Sequence, residues 1–130
     1  MIVLDASALV EWLLQTSAGL QIEKRVYSQN ESLHSPHLLD IEVAHVLRRF
    51  VSSGKISAKR GEEALHDMLA LRITRYPHDI FLVRIWQHRQ NLSAYDAAYV
   101  ALAEDLGASL ITCDKRLSSA SAHSARVEVF

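Results

Sequence analysis

The chain has 130 residues, 49% of them apolar and 22% charged, with 14 Lys and Arg against 15 Asp and Glu. That length fits a single domain over residues 1–130, and the composition excludes wholesale disorder. A formal charge of −1 excludes the global basic field of many nucleic-acid binders and leaves only local patches.

The opening Ile2-Val3-Leu4 is a short apolar run ended by Asp5, as in a strand buried on both faces. A helix follows, with Leu9, Trp12 and Leu13 on one face, and Gly19 is expected to break it. Leu20 to Tyr27 reads as a second helix with Leu20, Glu23, Lys24 and Tyr27 at helical spacing. Glu31 to His34 reads as a short strand ending at Pro36. His37 to Ser53 has the clearest helical stripe, made by Leu39, Val43, Val46, Leu47 and Phe50, and Gly54 stops it. Ser57 caps a further helix in which Leu65, Met68 and Leu69 are expected to face inward.

Ile73 to Tyr76 reads as a brief strand, Asp79 to Gln90 as helical, and Ser93 to Leu106 as a strongly apolar helix ended by Gly107. Ser109 to Cys113 is a buried strand, Asp114 opens a short helix, and Val127 to Phe130 is the last strand. Strands alternating with helices give an α/β domain with a parallel sheet. The single Cys113 excludes an internal disulfide and suits a reducing, cytoplasmic setting. Asp5 and Glu11 interrupt any signal-peptide core, no run approaches the ~18 apolar residues of a membrane span, and the glycines form no phosphate-cradling loop.

Four carboxylates stand out. In parallel α/β folds ligands bind beyond the carboxyl ends of strands, which is where Asp5 and Asp114 fall. Asp5 also suits a helix N-cap, and Asp114 a cap or a local ion pair. Glu42 lies on a largely apolar helix face between Ile41 and Val43, where a buried carboxylate would need a cation. Asp96 completes a Ser-Ala-Tyr-Asp capping-box pattern, yet the Ala97-Ala98-Tyr99-Val100-Ala101 run behind it leaves little room for a wet face. Thr112 shares the strand side of Asp114. Were these acids to converge, they would repel one another unless a cation neutralised them. Hard divalent ions, Mg²⁺ or Mn²⁺, match such a site, which can bind phosphate oxygens and acidify a bound water for attack on a phosphodiester.

The stretches MIVLDASALVEWLL, HSPHLLDIEVAHVLRRF and LSAYDAAYVALAEDLGASLITCDKRL, in order and spacing from residue 1 to about 117, resemble the PIN-domain family, in particular the VapC-type ribonuclease toxins of toxin–antitoxin pairs. The resemblance implies a three-layer fold with a parallel sheet of about five strands flanked by helices. It implies that Asp5, Glu42 and Asp96 are metal ligands, with Asp114 completing the acidic site and the Thr112 hydroxyl in support. It further implies Mg²⁺-dependent RNA hydrolysis leaving a 5′-phosphate, a homodimer, and a cognate antitoxin whose tail covers the pocket. Lys115 and Arg116, beside Asp114, are the first candidates for RNA phosphate contacts, ahead of the Arg48-Arg49 pair.

Two rival readings rest on other residues. Glu42-x-x-His45 and Glu63-x-x-His66 match the pairs of a di-iron carboxylate bundle, with Glu11 and Glu104 as further ligands, although the strand-like ends oppose four long helices. A non-catalytic interaction domain is the other, with Trp12 and Trp86 as aromatic candidates whose helical stripes place them in the core instead. Cys113 lies in an apolar strand with no evident base, and His34-x-x-His37 reads as loop because of Pro36.

Overall fold

A computed structural model describes residues 1–119 and 123–130. The element order is β1 (Ile2–Leu4), α1 (Ala6–Leu13), α2 (Ser17–Ser28), β2 (Leu33–Pro36), α3 (Leu38–Ser52), α4 (Ala58–Ala70), β3 (Ile73–Tyr76), a 3-10 turn (Asp79–Phe81), α5 (Leu82–Gln87), α6 (Ala94–Leu106), β4 (Ser109–Thr112), α7 (Lys115–Ser119) and β5 (Arg126–Val129). The five strands form one sheet in the order β3-β2-β1-β4-β5, and every neighbouring pair is parallel, as the sequence leads one to expect.

Strand position follows composition. The three residues of β1 are fully buried in the centre of the sheet, where both faces are covered, and β4 beside it is buried along its length. The half-exposed β3 and β5 take the edges. Right-handed crossovers place α1 to α4 over one face and α5 to α7 over the other. Accordingly α1 packs on α2 and α3, and α5 packs on α6. The backbone N–H of Leu38 donates to His78 Nε2 at 3.0 Å, so an imidazole from beyond β3 caps the start of α3.

Several local expectations need correction. Gly19 does not break a helix but lies inside α2, where it packs against the backbone of α1 (Thr16 caps α2). Leu20 and Tyr27 are exposed, and the inward stripe of α2 is Gly19, Ile22 and Val26. On α4 the buried stripe is Gly61, Ala64 and Met68, which turns Leu65 and Leu69 outward. Small residues let α4 sit close to its neighbours, so the stripe runs through them and not through the leucines. The segment Asp79 to Gln90 is a 3-10 turn followed by a six-residue helix, too short to bury a full stripe. Trp86 therefore points to solvent at 67% exposure, while Trp12 is in the core. The second strand starts later than expected and includes Pro36.

The spacing that suggested a di-iron site does not survive folding. Glu63 and His66 face solvent on α4, and Glu104 at the far end of α6 is engaged by Arg84 at 2.7 Å and His88 at 3.1 Å. His34 is likewise bound to Ser32 and to the Tyr76 hydroxyl, with His37 exposed. Among the described residues no helix is long and apolar enough to cross a membrane.

Candidate active site

β1 and β4 lie side by side, but the chain leaves them toward opposite faces of the sheet. Such a switch point opens a crevice beyond the carboxyl ends of the two strands. Asp5 follows β1 at once, and Thr112 closes β4 with Asp114 two residues on.

Asp5 takes an extended backbone because it is the N-cap of α1, and its Oδ1 accepts from the Ala8 N–H at 2.9 Å. Both readings of this residue therefore hold at once: it caps a helix and it lines the crevice. The Ser7 hydroxyl also donates to Oδ1 at 2.7 Å, and the Thr112 hydroxyl donates to Oδ2. Asp5 is 6% exposed, and burial pushes its carboxyl up to about 6 against the pull of those hydrogen bonds, with Glu42 adding to the rise.

Thr112 ties the site together. Its oxygen donates to Asp5 and accepts the Asp114 N–H at 2.9 Å, so one fully buried hydroxyl fixes the ends of β1 and β4. Ser7, which sequence reasoning missed, accepts the Cys113 N–H at 2.9 Å while donating to Asp5. Its position two residues after a strand-end aspartate was the available signal.

Glu42 projects from α3 and is half-buried, which raises its carboxyl pKa, with Asp96 adding to the effect. Its Oε2 accepts from the Tyr99 hydroxyl at 2.5 Å. Tyr99 comes from α6 on the opposite face of the sheet and is 2% exposed, so burial first and then Glu42 push its phenol upward. Asp96 sits in the first turn of α6, where Ser93 Oγ accepts the Asp96 N–H at 3.1 Å. Ser93 does the capping, and the Asp96 carboxylate makes no hydrogen bond among the described residues.

Asp114 differs from the other three. Arg116 reaches back to it at 2.5 Å, and that guanidinium holds the carboxyl below its usual range. Arg116 is thus committed to Asp114, and Lys115 is exposed and does not line the crevice. The cation that does line it is Arg49 on α3, with no carboxylate partner among the described residues.

Together these side chains bound a cleft of about 480 Å³ lined by Asp5, Glu42, Asp96, Asp114, Tyr95, Tyr99 and Arg49. Asp5, Glu42 and Asp96 have no ion-pair partner among the described residues. Nor do any three acidic, His or Cys side chains among those residues stand together as a ready-made metal cage. Instead Asp5 turns to Thr112, Glu42 to Tyr99 and Asp114 to Arg116, each carboxylate held by a partner of its own. The four carboxylates offer only hard oxygen donors, with the exposed His45 of α3 also lining the cleft. Such a set fits Mg²⁺, which keeps several waters and takes only one or two carboxylates directly, and does not fit a closed zinc cage.

The chain as a whole is similar to known proteins. A family model for the PIN domain matches residues 2–122. Ribonuclease VapC9 of Mycobacterium tuberculosis is 47% identical over 118 residues, covering 91% of this chain and 89% of its own. Ribonuclease VapC12 of the same organism is 42% identical over 129 residues, covering 99% of this chain and 98% of its own. Among solved structures, Mycobacterium tuberculosis VapC20, described as a sarcin-ricin loop cleaving toxin, superposes with TM-score 0.69 at 15% identity over 97% of this chain and 99% of its own. VapBC2 from Rickettsia felis, bound to a DNA fragment from its promoter, gives TM-score 0.66 at 12% identity over 99% of this chain and 98% of its own. Both structural likenesses speak to the fold.

Proposed function

This chain belongs to the PIN-domain family and to its VapC ribonucleases, and from that premise we propose a Mg²⁺-dependent endoribonuclease, one PIN domain over residues 1–130, acting as the toxin of a toxin–antitoxin pair. The observation that carries the metal site is the set of three carboxylates that, among the described residues, have no cation partner and share one cleft at the switch point of the sheet. Asp5, Glu42 and Asp96 would hold Mg²⁺, or Mn²⁺ in its place, directly or through water, and Asp114 would complete the site. When bound, the ion supplies Lewis-acid polarisation of the phosphodiester and a water acidified toward neutral pH.

The chain's own residues prepare that site. Thr112 and Ser7 fix the Asp5 carboxylate, Tyr99 orients Glu42, and the Ser93 cap leaves Asp96 free to face the cleft. Arg49 replaces Lys115 and Arg116 as the first phosphate contact, because it lines the cleft and they do not. The partners in this reading are an RNA substrate, a cognate antitoxin covering the acidic cleft and a second copy of the chain, in a cytoplasmic setting. The VapC names of relatives 42–47% identical to this chain support that reading.

Purified protein, freed of antitoxin and mixed with total RNA, is expected to cut it in Mg²⁺ and to stop in EDTA. Cleavage indifferent to EDTA would overturn the metal site, and absence of cleavage would overturn the enzyme. Tyr99→Phe removes the hydroxyl on Glu42 while keeping the buried ring. Loss of an outer hydrogen bond of this kind is expected to raise the Mg²⁺ concentration for half-maximal cleavage about tenfold, as a Mg²⁺ titration of cleavage rate would show.

A further inference from the structure

One residue at the mouth of the acidic cleft has no part in holding the carboxylates. Tyr95 is the second residue of α6 and stands directly before Asp96. It is 62% exposed, whereas the next residues into the helix, Ala97 to Ala103, are all buried. Among the described residues its ring joins no aromatic pair and its hydroxyl makes no hydrogen bond. Tyr99 lies one helical turn on, lining the same cleft at 2% exposure. One face of α6 therefore carries a tyrosine on the cleft floor, engaged with Glu42, and a second at its lip with a free ring.

The lip opposite supplies what an RNA strand needs beside such a ring. There α3 presents the exposed Ile41 and Arg49, which has no carboxylate partner among the described residues, and both line the cleft. Sites for unpaired RNA combine an aromatic face, on which a base stacks, with a cation that meets the backbone. Trp86 is no substitute, because it lies outside this cleft and the Arg89 guanidinium sits over its ring at 4.9 Å.

We propose that Tyr95 is a base-stacking residue of this enzyme. A nucleobase adjoining the scissile phosphate rests on its ring while Arg49 meets the backbone, so Tyr95 governs substrate binding and takes no part in bond breaking. The proposal rests on the ribonuclease reading above and deepens it.

The test uses a single-stranded RNA oligonucleotide whose cut site has been mapped in Mg²⁺, and the same oligonucleotide with abasic nucleotides flanking the cut. Wild type, Tyr95→Ala and Tyr95→Phe are compared. On intact RNA, Tyr95→Ala is expected to raise KM about tenfold with kcat changed less than about twofold, and Tyr95→Phe to behave as wild type. On abasic RNA the difference between wild type and Tyr95→Ala should vanish. An unchanged KM for Tyr95→Ala, or an equal loss on intact and abasic RNA, overturns the stacking role and leaves the ribonuclease standing. A wild type that cuts neither oligonucleotide, nor any other RNA in Mg²⁺, overturns the ribonuclease reading itself.

Discussion

Asp5→Asn is expected to abolish RNA cleavage, by on the order of a thousandfold or more, and at the same time to raise the melting temperature of the metal-free protein at pH 7. The first half follows from removing a charged ligand. The second follows from burial. The Asp5 carboxyl is pushed up from 3.8 to about 6 because its site is desolvated. A group whose pKa rises on folding gives stability that is complete below the unfolded value and is lost as pH rises through the folded one. At pH 7 the wild type thus keeps a buried charge, at a cost of about 3 kcal/mol for a shift of this size.

Asparagine removes that charge and is as good an N-cap as aspartate, so the bond to the Ala8 N–H persists. In EDTA, wild type should gain stability between pH 7 and pH 5, and Asp5→Asn should gain less, what remains coming from the raised Glu42 carboxyl. Glu104, held at about 2 by Arg84, Ser124 and His88, works in the opposite sense. It loses its contribution only as pH falls below 4.5, so it does not act between pH 7 and pH 5. Thermal melts across pH decide the matter. A variant that melts well below wild type at pH 7 would mean that the hydrogen bonds from Thr112 and Ser7 to the charged carboxylate outweigh the cost of burying it.

Gly19→Ala is expected to be the most damaging single change to the fold away from the cleft. A Cβ on Gly19 would lie 1.9 Å from the Glu11 carbonyl oxygen and 2.8 Å from the Trp12 Cα. These are backbone atoms of α1, so no side chain can swing aside and the two helices must move apart. The same interface holds Trp12 edge-on to Tyr27 at 6.0 Å. A loss of about 3 kcal/mol or more is expected, at or beyond the upper end of ordinary overpacking costs, and urea unfolding would measure it. A change within about 0.5 kcal/mol would mean that α1 and α2 do not approach this closely.

What the sequence revealed, and what it hid, divides along the range of the interactions. Asp5 and Asp114 were legible because a strand-end rule and an apolar run suffice to place them. Glu42 was legible as an acid on an apolar face, but its partner Tyr99 lies 57 residues away on the other side of the sheet, and no local pattern joins them. Asp96 stood in a capping-box pattern that favoured two roles equally. Only the fold separates them, with the Ser93 hydroxyl taking the amide and the carboxylate left to the cleft.

Arg116 lies beside Asp114 and pairs with it, whereas Arg49 lines the cleft from another helix. Glycine disfavours helices, which makes Gly19 look like a break, yet its missing Cβ is what allows two helices to touch. The near-neutral total charge belongs to the same lesson. With four of the 15 acids gathered in one cleft, the remaining 11 stand against 14 bases, so the near-zero total is the sum of an acidic cleft and a mildly basic remainder of the chain.

The central claim is that Asp5, Glu42 and Asp96 hold the ion that cuts RNA. Crystals soaked in Mn²⁺ and recorded at its absorption edge test it most directly. An anomalous peak within ligand distance of Asp5, Glu42 or Asp96, lost in Asp5→Asn, is the expected result. A Mn²⁺ ion bound only elsewhere, in a protein whose RNA cleavage depends on that metal, would contradict the account.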